Sequence, residues 1–157
     1  MNYNFSFGTH SISVSASDGT ADPVACSTTL SVIYHFDGFL SPISGADATG
    51  GSVLDPARAF KLGSTIPFRF KTSCAGAGVS IGVHTLELAK WTSSTTSDPA
   101  IDATPIDAAT TGNQFRAAGD EWHLNLDTKV AGLTKGIWKA TAHLADGTAH
   151  TVWVELK

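Results

Sequence analysis

Charge is scarce in this chain. Asp, Glu, Lys and Arg make up 15% of its 157 residues, well below the quarter usual in soluble domains. The ten Lys and Arg are scattered and the formal net charge is -4. A protein that follows a phosphate backbone needs a basic stripe, so nucleic acid is not an expected partner. No apolar run approaches the roughly 20 residues of a membrane-spanning helix, so no membrane insertion is expected. Two cysteines, Cys26 and Cys74, are too few for a structural zinc site. They leave two readings open, one disulfide or two buried thiols. Met1-Asn2-Tyr3-Asn4-Phe5 lacks the basic start and apolar core of a secretory signal. The chain therefore reads as a fragment of a longer protein.

Catalytic signatures in their working context are missing as well. Gly78-Val79-Ser80-Ile81-Gly82 fits Gly-x-Ser-x-Gly, but no helical period follows it as a nucleophile elbow requires, and His-Glu-x-x-His does not occur. The Gly-rich Cys74-Ala75-Gly76-Ala77-Gly78 lacks the Lys and hydroxyl of a phosphate loop. Six histidines are dispersed along the chain. No metal site, cofactor or catalytic residue is expected, and the chain reads as no enzyme.

What the sequence does have is alternation. Helical periodicity is nearly absent, and apolar residues recur at every second position. Ile66, Phe68 and Phe70 form one such set. His84, Leu86 and Leu88 form a second, and Trp122, Leu124 and Leu126 a third. Trp138, Ala140, Ala142 and Leu144 form a fourth, and Val152, Val154 and Leu156 close the chain. Period two with one apolar side marks half-buried antiparallel strands. Many short strands between turn residues predict an all-β fold, an immunoglobulin-like antiparallel β-sandwich. Thr92 to Asn113 breaks the pattern and is expected to be a long exposed loop.

The chain also repeats itself. Gly8 to Ala21 matches Gly136 to Ala149 at a constant offset, and both end in Asp-Gly-Thr-Ala. Each copy opens with Gly on an alternating strand and is followed by a returning strand. The repeat implies tandem related domains. Residues 1–33 read as the C-terminal hairpin of an upstream immunoglobulin-like domain, and residues 34–157 as a whole one. Parity fixes the second turn. Leu144 and Val152 can both face inward only across a three-residue loop, Ala145-Asp146-Gly147, with Gly147 left-handed. Cys26 shares parity with Thr28, Leu30 and Val32 and is expected to face inward from the first hairpin. Cys74 lies at the far end of the Phe68 strand, so a bridge would tie the hairpin to the sandwich.

Phe60 to Phe70 resembles the signature of the PxKF domain of bacterial extracellular multidomain proteins. The Pro-x-Lys-Phe motif stands here as Pro67-Phe68-Arg69-Phe70, with Arg for Lys. Tyr34 to Ile43 is similar to that family's opening segment. The Trp122 strand, the Gly136-Trp138 strand and the Asp146-Gly147 hairpin resemble its end. The resemblance implies an extracellular or cell-surface location, a β-sandwich and no catalytic site. Read physically, Gly63 permits a bend. Pro67 suits an edge strand because it removes a ladder donor. Phe68 and Phe70 are inward, and Arg69 is outward in solvent.

Three functions follow as expectations. The first is a structural spacer in a secreted or cell-surface protein, with neighbouring domains as partners. The second is carbohydrate binding through Trp91 and Trp153, which fall on outward parity. The third is self-assembly through the hairpin of residues 1–33, whose edges and apolar side need cover. Phe39 is expected to plug a domain boundary.

Overall fold

The computed structural model describes residues 4–103 and 112–157, and they are all β. The strands are β1 (Gly8–Ala16), β2 (Val24–Val32), β3 (His35–Phe39), β4 (Arg58–Phe60), β5 (Thr65–Cys74) and β6 (Ala77–Gly78). They continue with β7 (Thr85–Trp91), β8 (Ile101–Asp102), β9 (Arg116–Ala118), β10 (Glu121–Asp127), β11 (Gly136–His143) and β12 (Ala149–Leu156). The helical content of the described residues is one 3-10 turn, Asp47–Thr49.

Two sheets form the sandwich. One runs β3-β5-β10-β9, with β6 added to β5, and the other runs β4-β12-β11-β7-β8. Taken in chain order, these are the A-B-E-D and G-F-C sheets of the immunoglobulin fold. An extra strand stands at each end of the second sheet. Strand β4 lies parallel to β12, whereas every other strand pair among the described residues is antiparallel. The expected fold class is therefore the observed one.

The alternating residues fill the space between the sheets. Ile66, Phe68 and Phe70 of β5 are fully buried, as are Leu86, Ala140, Ala142 and Val152 from the facing sheet. Trp122, Leu124, Leu126, Trp138 and Leu144 complete the expected core. Both core tryptophans find acceptors, as buried indoles usually do. Trp122 Nε1 donates to Thr72 Oγ1 at 3.0 Å and Trp138 Nε1 to the Thr134 carbonyl at 2.9 Å.

Three expectations change. Phe39 is core, buried edge-on against Phe68 and Phe70, because it ends β3 inside the sheet. Strand β5 is not an edge strand, since β3 and β10 flank it. Pro67 is tolerated because β3 leaves the ladder where Leu40 N–H donates to the Arg69 carbonyl, so the flank beyond is open. The stretch from Thr92 to Asn113 is not all loop. Trp91 bridges Ser97, β8 pairs with β7, and Ala103 is buried. The rest of that expectation, residues 104–111, lies outside the described residues.

Strands β1 and β2 form a separate two-stranded sheet, paired from Gly8↔Val32 to Ala16↔Val24. Its even-numbered side carries Ile12, Val14, Cys26 and Leu30, and its odd-numbered side is mostly Ser and Thr. The expected inward side is not buried. Val14 is 61% and Val24 76% exposed, and Cys26 is exposed too.

Candidate functional site

The turns of the two hairpins carry the repeat into backbone geometry. Gly8 and Gly136 both have positive φ, 117° and 133°, and Gly19 and Gly147 have φ of 82° and 88°. Side chains rarely adopt such angles, so glycine is required. Leu144 N–H donates to the Thr148 carbonyl, closing the expected three-residue loop Ala145-Asp146-Gly147. Asp18 accepts the N–H groups of Thr20 and Ala21 on one oxygen. Asp146 accepts the Thr148 N–H and hydroxyl on Oδ1, at 2.9 and 2.7 Å.

Asp146 does more than cap its own turn. Its Oδ2 accepts the backbone N–H of Tyr34 at 2.6 Å. Tyr34 joins the first hairpin to the sandwich, so this bond pins the linker to the β11–β12 turn. Burial pushes the Asp146 carboxyl up, but the donors from Thr148 and Tyr34 outweigh it and hold it below the usual range. The Tyr34 ring packs on Phe7 with centroids 4.0 Å apart, and its hydroxyl donates to the Ile81 carbonyl. Burial, with the Asp146 charge second, raises the Tyr34 hydroxyl pKa.

His84 sits beneath this joint with no exposed surface. Its Nδ1 accepts the Ala145 N–H at 3.1 Å, which places the ring proton on Nε2. That nitrogen is buried and has no hydrogen-bond partner among the described residues. Tyr34, Phe70 and Trp122 stand edge-to-face around the ring, with Trp122 at 4.2 Å. Burial drives the imidazole pKa down to about 4, against a weaker upward pull from Asp146. Sequence parity had placed His84 inward; its contact with the Ala145 turn had no sequence signal.

The structure brings the two outward tryptophans together. Trp91 and Trp153 meet edge-to-face at 4.9 Å across β11, where Ile137 and Lys139 are their register partners. Neither is freely exposed, and Trp91 Nε1 is buried with no partner among the described residues. Each ring thus covers part of the other, which leaves less open indole face than two separate platforms would.

The remaining motif residues serve the fold. Gly63, φ 86°, donates its N–H to Thr128 Oγ1 in the turn before β5. Gly136 lies against Lys90, whose Cε would stand 3.1 Å from an added Cβ. Arg69 is not a free solvated cation, because Glu121 pairs with it at 3.3 Å. Cys26 and Cys74 are free thiols on separate sheets, so the bridge is not formed. Among the described residues, no three His, Cys, Asp or Glu side chains gather as a metal set.

No protein-family profile matches the chain, and no curated protein matches it. One solved structure does. It is the crystal structure of domains 4 and 5 of the S-layer protein SbsC, 11% identical, with a TM-score of 0.38. The match covers 96% of this chain and 58% of that one, so the chain spans little more than half its length. A likeness this distant assigns neither family nor function.

Proposed function

We propose that the chain is a non-enzymatic spacer of the PxKF type, from a secreted or cell-surface protein, that carries load between neighbouring domains. In this reading residues 1–33 close an upstream immunoglobulin-like domain and residues 34–157 form the next. The observation that carries it is the parallel pairing of β4 with β12. Once β3 has peeled from β5, pulling the two ends apart loads β4 at its N-terminal end and β12 at its C-terminal end, so these parallel neighbours slide along each other and their hydrogen bonds load together rather than one at a time. Several bonds hold this seam. Ala57 donates to Trp153 at 2.9 Å, Lys157 to Phe60 at 3.0 Å and Leu62 to Lys157 at 2.9 Å. Trp153 N–H donates in turn to Gly50. The clamp from Asp146 to Tyr34 supports the reading, because it fixes the angle at which load enters.

Pulling the full chain by its ends tests the proposal. The sandwich should give one distinct rupture, and Ala57→Pro, which deletes the donor to Trp153, should lower the rupture force. Smooth extension without a rupture, or an unchanged force in the variant, would overturn it. The uncovered side of β1–β2 favours a second reading, self-assembly, for which Val14 and Val24 are the most exposed apolar contacts. Sedimentation across a wide concentration range separates the two, since a spacer stays monomeric.

A further inference from the structure

One end of the sandwich carries a connected line of polar groups outside the β4–β12 seam. Asp47, in the 3-10 turn, receives two bonds. Its Oδ1 accepts the Thr151 N–H at 2.7 Å and its Oδ2 lies 2.7 Å from His150 Nδ1. The other ring nitrogen, Nε2, lies 3.2 Å from Thr148 Oγ1. That hydroxyl donates to Asp146 Oδ1, and Asp146 Oδ2 holds the Tyr34 N–H. The His150 ring is fixed in place by stacking on Phe36 at 4.0 Å, nearly parallel at 13°.

Counting protons along this line defines two states. A threonine hydroxyl has one hydrogen. When it goes to Asp146, His150 Nε2 must be the donor to the hydroxyl oxygen. Nδ1 faces a carboxylate and is a donor as well, so the ring is an imidazolium. When the ring loses a proton, the bond to Asp47 keeps Nδ1–H, since that bond is charge-assisted. Nε2 then needs a donor, and the hydroxyl of Thr148 is the group in reach. It rotates from Asp146 to His150, and Asp146 loses one of its three donors.

We propose that protonation of His150 is passed through the Thr148 hydroxyl to Asp146 and from there to the backbone of Tyr34, which makes the joint between hairpin and sandwich proton-linked. The titratable groups around this line are few. Asp47 faces His150 from the 3-10 turn and Asp146 from the β11–β12 turn. From β3 it is Phe36 that meets the ring, and the adjacent His35 and Asp37 pair with each other at 2.8 Å. Ala142, the register partner on β11, carries no charge. His84 accepts the N–H of Ala145, the neighbour of Asp146 in the turn, and its burial keeps it neutral near pH 6. The inference does not depend on the load-bearing reading.

Nitrogen-15 NMR on the full chain tests it, over about pH 5 to 8, where histidine titrates. The Tyr34 amide should move with the same midpoint as the His150 ring nitrogens. Thr148→Val should cut the amplitude of that movement by at least about half while His150 still titrates, because the field of the imidazolium remains but the relay is gone. Thr148→Ser, which keeps a hydroxyl, should retain it. His150→Gln removes the titrating group and should leave the Tyr34 amide flat, a readout that stands even if Thr148→Val fails to fold. A Tyr34 amide that ignores His150, keeps its full movement in Thr148→Val, or still titrates in His150→Gln would overturn the proposal.

Discussion

The chain contains two hairpins built on one local plan, and they differ in almost everything beyond it. Strands β1–β2 and β11–β12 share the opening glycine, the alternating first strand and the Asp-Gly turn with its side-chain cap. Ala16 pairs with Val24 whereas Leu144 pairs with Thr148, so the first loop is four residues longer. Four is even, so the same residues keep the same side. Yet Ala140, Ala142 and Val152 have no exposed surface, whereas Val14 and Val24 are mostly exposed. The flanks differ likewise. Strand β11 is paired by β7 and β12 by β4, but among the described residues β1 and β2 pair only with each other. Local sequence thus sets the backbone of a hairpin, and its partners set its stability. A lone two-stranded hairpin is marginal in water.

The largest effects should come from side chains that lie on the same side of the two hairpins but differ in cover. Leu156 is buried between the sheets, and Leu156→Ala should cost about 3 kcal/mol through lost transfer energy and a cavity. Leu30 points from the same side of the other hairpin but is 37% exposed. Leu30→Ala should change global stability by less than about 0.5 kcal/mol. Denaturant melts of both variants check this. Equal losses would mean that the first hairpin folds as part of the sandwich.

Acid should divide the two regions next. The pKa of His84 is depressed to about 4 by burial, from an ordinary 6.5. Between these values the unfolded chain binds a proton that the folded chain refuses. Stability conferred by the neutral ring is therefore complete above about pH 6.5 and is lost as pH falls toward 4, by about 3 kcal/mol in all. His84→Gln keeps an acceptor for the Ala145 N–H but cannot titrate, so its loss between pH 7 and 4 should be smaller by that amount. Melts at several pH values decide it. The first hairpin has no counterpart of this buried ring, since His10 bonds the Ser6 carbonyl at the surface.

The strands and the core could be read from parity, because burial of one side imposes period two on any sequence that folds this way. The Gly147 turn was legible for the same reason, since only one loop length keeps Leu144 and Val152 on one side. Parity says nothing of what lies opposite. It placed Cys26 inward on β2, where no sheet of the described residues faces it to make an inside. It placed Trp91 and Trp153 outward but could not bring them into contact, because the crossing over β11 depends on strand order. The Asp146 bond to Tyr34 was illegible too. It joins residues 112 apart, and the turn alone accounts for an aspartate there.

Glycines at the two turns give the smallest and cleanest contrast. Gly147 and Gly19 have nearly the same φ, 88° and 82°, and an added Cβ at either meets no atom within 4 Å. A valine therefore clashes with nothing beyond its own backbone, and its cost is the strain of a β-branched residue at positive φ, about 1–2 kcal/mol. That local cost should be alike at both sites. What differs is whether the rest of the molecule feels it. Gly147 lies in a turn tied to Tyr34 through Asp146 and to His84 through Ala145, so Gly147→Val should lower the midpoint of the sandwich by the full amount. Gly19 lies on a hairpin whose Asp18, among the described residues, caps only its own turn. Gly19→Val should open β1–β2 locally, seen as faster amide exchange there, while the main melt stays in place. A main melt that shifts equally in both variants would show the hairpins to be one cooperative unit, and the contrast between them would be one of exposure alone.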